Sequence, residues 1–389
     1  ETIGISQLQA TNVNDFNPRR TFLDESYREF RLDADYERPL GERARLEAGL
    51  RLDFDWEDSN YEDEIFLGNS WQPRDNGSVE AQNFTYLENV NAMYATYSGS
   101  FNDFTYQAGV RAEQTRIETE LKQTDEINDQ NYVNLFPSAF LSYTISEENS
   151  LQLSYSRRIS RPWSGLLLPF EEQRDSRNIR VGNPALKPEY GNSYELGYLR
   201  RWESGSVLTS FYYRYRTDVI ERVFTVSGDG FTTRRPINLA TENAFGIELS
   251  ADQDVLDNLQ LSGSMNVFQS ERDGSFEGRV YQSESESFTS RMRVRWRFAE
   301  GWNFQSYLFY RGPQNTTQGT RGARTFLGAA VSRQLFDGRG RISLNARDIT
   351  NSIGSEREVL DINSYTNTSY KWSSRSLRLS FNYNFSTAG

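Results

Sequence analysis

The 389-residue sequence predicts an all-β fold, an antiparallel barrel that crosses a membrane with its strands. Three observations predict it. Apolar residues alternate with polar ones over stretches too long for soluble strands, connections alternate between tight and long, and aromatic residues make up 14% of the chain. The alternation is strictest in ARLEAGLRLDFDW, residues 44–56. Ala44, Leu46, Ala48, Leu50, Leu52, Phe54 and Trp56 hold the even positions, with Arg45, Glu47, Gly49, Arg51, Asp53 and Asp55 between them. A period of two gives a strand with one apolar and one polar face, whereas a helix would scatter these apolar residues around its circumference. Soluble strands run about 5–6 residues. A strand tilted across a bilayer needs about 9–11.

The pattern recurs along the chain. Phe30, Leu32, Ala34 and Tyr36 set a strand before the stretch at 44–56. Val90, Ala92, Tyr94 and Thr96 set one after it, followed by Phe104 to Ala112. Leu141 to Ile145 and Leu151 to Tyr155 flank a short turn, as do Tyr194 to Trp202 and Val207 to Tyr215. Phe245 to Ala251 leads to Leu259 to Val267. Phe288 to Phe298 precedes Trp302 to Tyr310. Leu327 to Val331, Ile342 to Ala346 and Leu377 to Phe385 complete fifteen strands.

Every other connection is tight, at 37–42, 98–103, 146–150, 203–205, 299–301 and 336–340, and built of turn-forming residues. The rest are long, at 57–81, 117–131, 160–190, 218–242, 270–284, 312–324 and 350–370. Short periplasmic turns on one rim and long extracellular loops on the other belong to a membrane barrel. The even positions of 44–56 are therefore expected to face lipid, with Val110 and Val294, while Arg51, Arg111 and Arg295 face inward. Trp56 marks an aromatic girdle at the long-loop end, and Tyr36 and Trp302 lie near the opposite rim. Closed bacterial barrels have an even strand count, so a partner strand before residue 25 is expected. Ile3 and Ile5 alternate within 1–16, but residues 1–24 read equally as a lead-in segment or loop, with further strands upstream.

Composition removes several function classes. A net charge of −11 argues against a nucleic-acid partner. With no Cys and no His, the chain has no disulfide, no thiolate chemistry, no His base and no Ser-His-Asp triad, and nearly every zinc site is excluded. Mean hydropathy is −0.74 and no stretch approaches the roughly 20 apolar residues of a membrane helix, as expected when half of each strand is wet. Carboxylates are too numerous for one pair to mark a glycosidase. No catalytic residue, cofactor or resident metal is expected. The acidic runs Glu57, Asp58, Glu62, Asp63, Glu64 and Asp125, Glu126, Asp129 lack EF-hand spacing and read as solvated loop. Arg157, Arg158, Arg161, Arg174, Arg177 and Arg180 crowd one region, where they can grip an anion or pair with neighbouring acids.

The segment SYSRRISRPWSGLLLPFEEQRDSRNIRVGNPALKPEYGNSYELGY, residues 154–198, carries a resemblance, most specifically in GNPALKPE. ARLEAGLRLDF, SFYYRYRTDVIERVF at 210–224 and INLATENAFGIELSA at 237–251 carry it too. It resembles the C-terminal barrel of TonB-dependent outer-membrane receptors, of the Bacteroidota-type outer-membrane β-barrel family. The resemblance implies a 22-stranded barrel around an N-terminal plug, of which the whole chain, residues 1–389, would supply the last fifteen strands without the plug. It also implies a place in the bacterial outer membrane, energy from TonB through the missing N-terminal region, no enzymatic activity, and uptake of a small polar ligand such as a siderophore, glycan or peptide. A passive or adhesive outer-membrane barrel, and a secreted glycan-binding β protein, are the alternatives. In loop 160–190 the expected ligand contacts are Trp163, Arg174 and Arg177. Gly182, Asn183, Pro184, Leu186, Pro188 and Glu189 are expected to form the loop base. Gly182 permits an unusual turn there and the prolines stiffen it, while the spacing does not suit a phosphate-cradling loop.

Overall fold

The computed structural model describes residues 19–73, 82–169, 171–173, 178–227, 231–361, 364–372 and 374–385. In chain order these form β1 (Arg19–Pro39), β2 (Ala44–Leu67), β3 (Ser70–Pro73), β4 (Gln82–Phe101), β5 (Phe104–Leu121), β6 (Glu126–Ser146) and β7 (Asn149–Ser160). One helical turn follows, α1 (Ser164–Leu167), then β8 (Glu171–Gln173), β9 (Asn178–Val181), β10 (Glu189–Trp202), β11 (Gly205–Val226) and β12 (Thr232–Leu256). The remainder is β13 (Leu259–Phe276), β14 (Arg279–Ala299), β15 (Trp302–Arg311), β16 (Gln314–Thr316), β17 (Gly319–Arg321), β18 (Arg324–Leu335), β19 (Gly340–Arg347), β20 (Gly354–Asp361), β21 (Ser364–Lys371) and β22 (Ser376–Tyr383). The fifteen alternating segments fall in strands β1, β2, β4 to β7, β10 to β15, β18, β19 and β22, except that Phe385 lies just beyond the end of β22. The weak strand expected within 1–16 lies outside the described residues.

The chain forms two compact units. The first takes the described residues of Glu1–Phe140, Tyr155–Asn192 and Arg216–Thr241. In it β1, β2, β4 and β5 pair antiparallel in sequence order. Phe30, Leu32, Leu50, Phe54 and Trp56 stand exposed on one face, together with Met93, Tyr97 and Val110. The other face carries charges matched across the ladder. Arg31 lies directly opposite Asp53, and Arg51 opposite Asp33 at 2.6 Å. Leu50 lies midway along the apolar face, so Leu50→Arg should cost about 2–4 kcal/mol of barrel stability. Arg51→Leu should cost under about 1 kcal/mol, because its ion pair is largely exposed. Urea unfolding in micelles measures both, and equal losses would mean that the two faces have been exchanged.

The stripe Val90, Ala92, Tyr94 is on the charged face, not the lipid face. Val90 and Ala92 are buried, and the Tyr94 hydroxyl donates to Asp35. Met93, Ala95 and Tyr97 face outward instead, opposite Leu50, Ala48 and Leu46. The stretch AMYATY is apolar on both sides, so alternation does not choose a face. Cross-strand register does.

The connections expected as loops at 57–81, 117–131, 218–242 and 270–284 are in large part strand. β2 runs on to Leu67, β5 ends at Leu121, β12 begins at Thr232, and β13 and β14 meet across Glu277 and Gly278. Beyond the lipid the hydrophobic pattern changes sides. Tyr61, Phe84, Tyr86, Ile117 and Leu121 turn inward to form the core of the first unit, and polar residues take the outer face. The acids of 57–64 are spent in this wall. Asp58 accepts a 3.0 Å hydrogen bond from Thr85, and Glu64 pairs with Arg20.

The second unit comprises the described residues of Leu141–Ser154, Ser193–Tyr215 and Glu242–Gly389. β13, β14, β15, β18, β19 and β22 form an antiparallel ladder in that order. Phe288, Met292, Trp296 and Phe298 are exposed along β14, with Leu377, Leu379 and Phe381 along β22. Aromatics meet beside the short turns, Trp296 with Phe298 at 5.4 Å, Phe298 with Trp302 at 5.7 Å and Tyr383 with Phe385 at 4.8 Å, as an interfacial girdle requires. The expected loops 312–324 and 350–370 hold a second, four-stranded sheet of β16, β17, β20 and β21.

Candidate functional site

The segment between β7 and β10 lies within the first unit and is packed rather than free. Arg161 follows β7 in a partly buried position. Its Nη2 reaches the Glu113 carboxylate and donates to Thr115 Oγ1 at 2.8 Å, while its Nε lies 3.3 Å from Glu88. Arg111 approaches Glu113 from the other side, and the Tyr86 hydroxyl donates to Glu88 at 2.6 Å. Glu113 and Thr115 are buried, so one guanidinium ties two acids and a hydroxyl. Buried charges persist when paired and hydrogen-bonded in this way.

The chain then turns through Trp163 into α1, where the Leu166 amide donates to the Trp163 carbonyl at 2.9 Å. Leu166 and Leu167 enter the core beside Tyr61, Phe84, Tyr86 and Ile117. Trp163 itself is 53% exposed. The Arg180 guanidinium lies 5.3 Å from its ring and donates to the Gly165 carbonyl at 2.8 Å, and Glu172 lies 3.7 Å away. β8 and β9 pair antiparallel, and β9 also pairs in parallel with β12. Arg174 and Arg177 lie outside the described residues. Of the expected contacts, therefore, the structure places Trp163 alone. It adds Arg180, which pairs with that ring.

The loop base is held from several sides. The Gly182 amide donates to the Leu168 carbonyl at 2.8 Å, and the Asn183 amide to the Leu166 carbonyl at 2.7 Å. A Cβ on Gly182 would lie 2.3 Å from the Leu168 oxygen, so only glycine fits. Asn183 accepts from the Ala185 amide and donates to the Pro236 carbonyl, each at 3.1 Å. Gln130 donates to the carbonyls of Pro184 and Leu186, both at 2.9 Å. Leu186 is completely buried and Pro188 is buried near it. Asn238 exchanges two 2.8 Å bonds with the backbone of Lys187, imitating a strand partner. Glu189 caps the assembly by accepting from the Ile220 amide at 2.6 Å, with Arg216 3.4 Å away. Gln130, Asn238, Glu88 and Glu113 are structural partners that sequence reasoning missed. Each lies far along the chain from the group it holds. In the long connection 57–81, Trp71 packs on Phe66 at 5.3 Å and lies 4.4 Å from the Arg20 guanidinium.

Three comparisons bear on this arrangement. The sequence model described as the outer membrane protein beta-barrel family matches residues 3–383. No curated protein sequence matches the chain. Among solved structures, the ferric citrate transporter FecA in its unliganded form superposes with a TM-score of 0.64 at 13% identity, covering 98% of this chain and 57% of that one. The ferric yersiniabactin uptake receptor FyuA from Yersinia pestis gives 0.59 at 13% identity, over 95% of this chain and 55% of that one. The siderophore receptor PiuA from Acinetobacter baumannii gives 0.62 at 12% identity, over 94% and 56%. At such identities the likeness is one of fold. The chain spans a little over half the length of each of these three proteins.

Proposed function

The chain belongs to the outer membrane protein beta-barrel family and so to the bacterial outer membrane, and from that premise we propose that it is the C-terminal barrel portion of a TonB-dependent receptor that imports a scarce polar ligand. The observation that carries the proposal is the fold likeness, over nearly the whole chain, to proteins named as transporters or receptors of ferric citrate, ferric yersiniabactin and siderophores. The ligand would be a siderophore, a glycan or a peptide, and the chain would perform no chemistry on it. Energy would come from TonB through a region N-terminal to these residues.

Loop 160–190 would contribute to capture. Trp163, Arg174 and Arg177 would touch the ligand, and Gly182 to Glu189 would hold the loop in shape. An exposed aromatic beside the Arg180 guanidinium suits a ligand with both a planar and an anionic part. In the full-length receptor the triple replacement Trp163→Ala, Arg174→Ala and Arg177→Ala should weaken binding about tenfold or more without changing insertion. Binding of ferric siderophores, oligosaccharides and peptides to whole cells measures this, and parental affinity for all of them would remove the loop from the site. Uptake, but not binding, should stop when TonB is deleted. Uptake that persists unchanged would make a passive channel the better account.

A further inference from the structure

From Ser287 to Phe336 the sequence carries eight arginines and a single acid, Glu300, although acids outnumber bases 54 to 43 in the whole chain. Strand register in the second unit gathers several of these arginines. Arg311 ends β15 directly across from Arg324, which begins β18. Arg321 of β17 stands opposite Arg357 of β20. Arg311 is within electrostatic reach of both Arg321 and Arg324. Like charges placed directly opposite on antiparallel strands repel and destabilise the pair. No ion pair formed among the described residues includes Arg311, Arg321 or Arg324.

Two buried polar atoms share this corner. Arg311 Nε and Ser287 Oγ have no hydrogen-bond partner among the described residues, and Ser287 is only 9% exposed. Ser287 Oγ would lie 3.3 Å from a Cβ on Gly312, the residue that follows Arg311. Thr289 pairs with Arg311, so Ser287 is on the arginine's side of the ladder. The opposite side carries the Phe288 and Tyr310 rings, 4.9 Å apart. A merely solvated cationic face would leave its donors in water rather than bury two of them unpaired, which is costly.

We propose that Arg311, Arg321 and Arg324, with Ser287, form a binding site for a small multivalent oxyanion bearing several carboxylate or phosphate groups. Each guanidinium offers a planar fork that matches such groups with two parallel bonds, and the serine hydroxyl rotates to donate a further one. Negative charge among the three cations turns their mutual repulsion into shared attraction. This deepens the uptake reading by naming the charge of the cargo. It rests on that reading for its purpose, while binding itself needs no transport.

The test uses the full-length protein in detergent, titrated calorimetrically at low salt with citrate, with pyrophosphate, and with glucose as a neutral control. At least one anion should bind, glucose should not, and added salt should weaken binding. The stronger of the two anions identifies the groups preferred, carboxylate or phosphate. Arg311→Gln and Arg324→Gln should each lower affinity about tenfold, and Arg324→Lys, which keeps the charge, should lower it less. Heat-modifiable migration checks folding. Should a barrel-strand variant fail to fold, Arg321→Gln in the small sheet reads the same site and should also lose about tenfold. Absence of binding by both anions, or undiminished binding by folded variants, overturns the site. Energised uptake without anion binding sinks this inference alone, and anion binding with TonB-independent uptake sinks the receptor reading alone.

Discussion

Replacing Arg161 by Ala is expected to destabilise the protein by about 3–5 kcal/mol, because it strands buried charge. The side chain is 19% exposed and lies against Glu113, Thr115 and Glu88. Assembling such a cluster gains little net energy, because desolvation cancels most of the attraction. Removing its only shared cation is different. Glu113 would keep Arg111, but Glu88 would be left with the Tyr86 hydroxyl, and Thr115, fully buried, would lose an acceptor-matched donor. The double variant Arg161→Met with Glu88→Gln should therefore recover part of the loss, since it removes the stranded charge as well. Urea unfolding in micelles, followed by tryptophan fluorescence, gives both numbers. A loss below about 1 kcal/mol for Arg161→Ala would show that water reaches the cluster and that the network is a surface feature.

Leu186→Ala should cost about 2–5 kcal/mol. Its side chain has no exposed surface and shares the core with Tyr61, Phe84, Ile117, Leu166 and Leu167. Tyr61, Phe84 and Ile117 are fixed by strand pairing, so the cavity cannot collapse cheaply. The effect should be local as well as global. Hydrogen exchange should quicken in 164–168 and 182–189 more than in β2, β4 and β5, because the loop base can detach before the ladder opens. Ala185→Ser, one residue away on an exposed position, should change stability by less than about 0.5 kcal/mol. Uniform acceleration across β2, β4 and β5 would mean that the base and the wall open as one unit.

How far the sequence could be read depended on what surrounded each stretch. Where hydrocarbon wets one face, it imposes alternation, and Ala44 to Trp56 could be placed side by side with Phe30 and Leu32. Where both faces are apolar, as at 92–97, the parity was illegible until Met93 was found opposite Leu50. Above the lipid the rule lapses. EDSNYEDE reads as loop because Tyr61 is its one large apolar residue, yet it is strand, with Tyr61 in the core. In the candidate site, Gly182 and the two prolines announced a shaped backbone from local chemistry alone. Their partners did not. Gln130 and Asn238 stand 54 and 51 residues from the carbonyls of Pro184 and Lys187, a separation at which spacing carries no information. Arg161 is legible as one of a crowd of arginines, but its role as the tie between Glu88 and the buried Glu113 follows only from the register of β4 and β5.

The continuation of β2 from Trp56 to Leu67 has an electrical consequence. Eleven residue steps at about 3.3 Å give roughly 36 Å of strand, or about 25 Å of height at a tilt near 45°. Whatever charge the headgroups carry is screened within about 8 Å at physiological ionic strength. The rim of this wall therefore stands about three screening lengths above the headgroups. A solute arriving there meets the protein's own field and not the membrane's, so the sign of charge it admits is set by side chains at the rim.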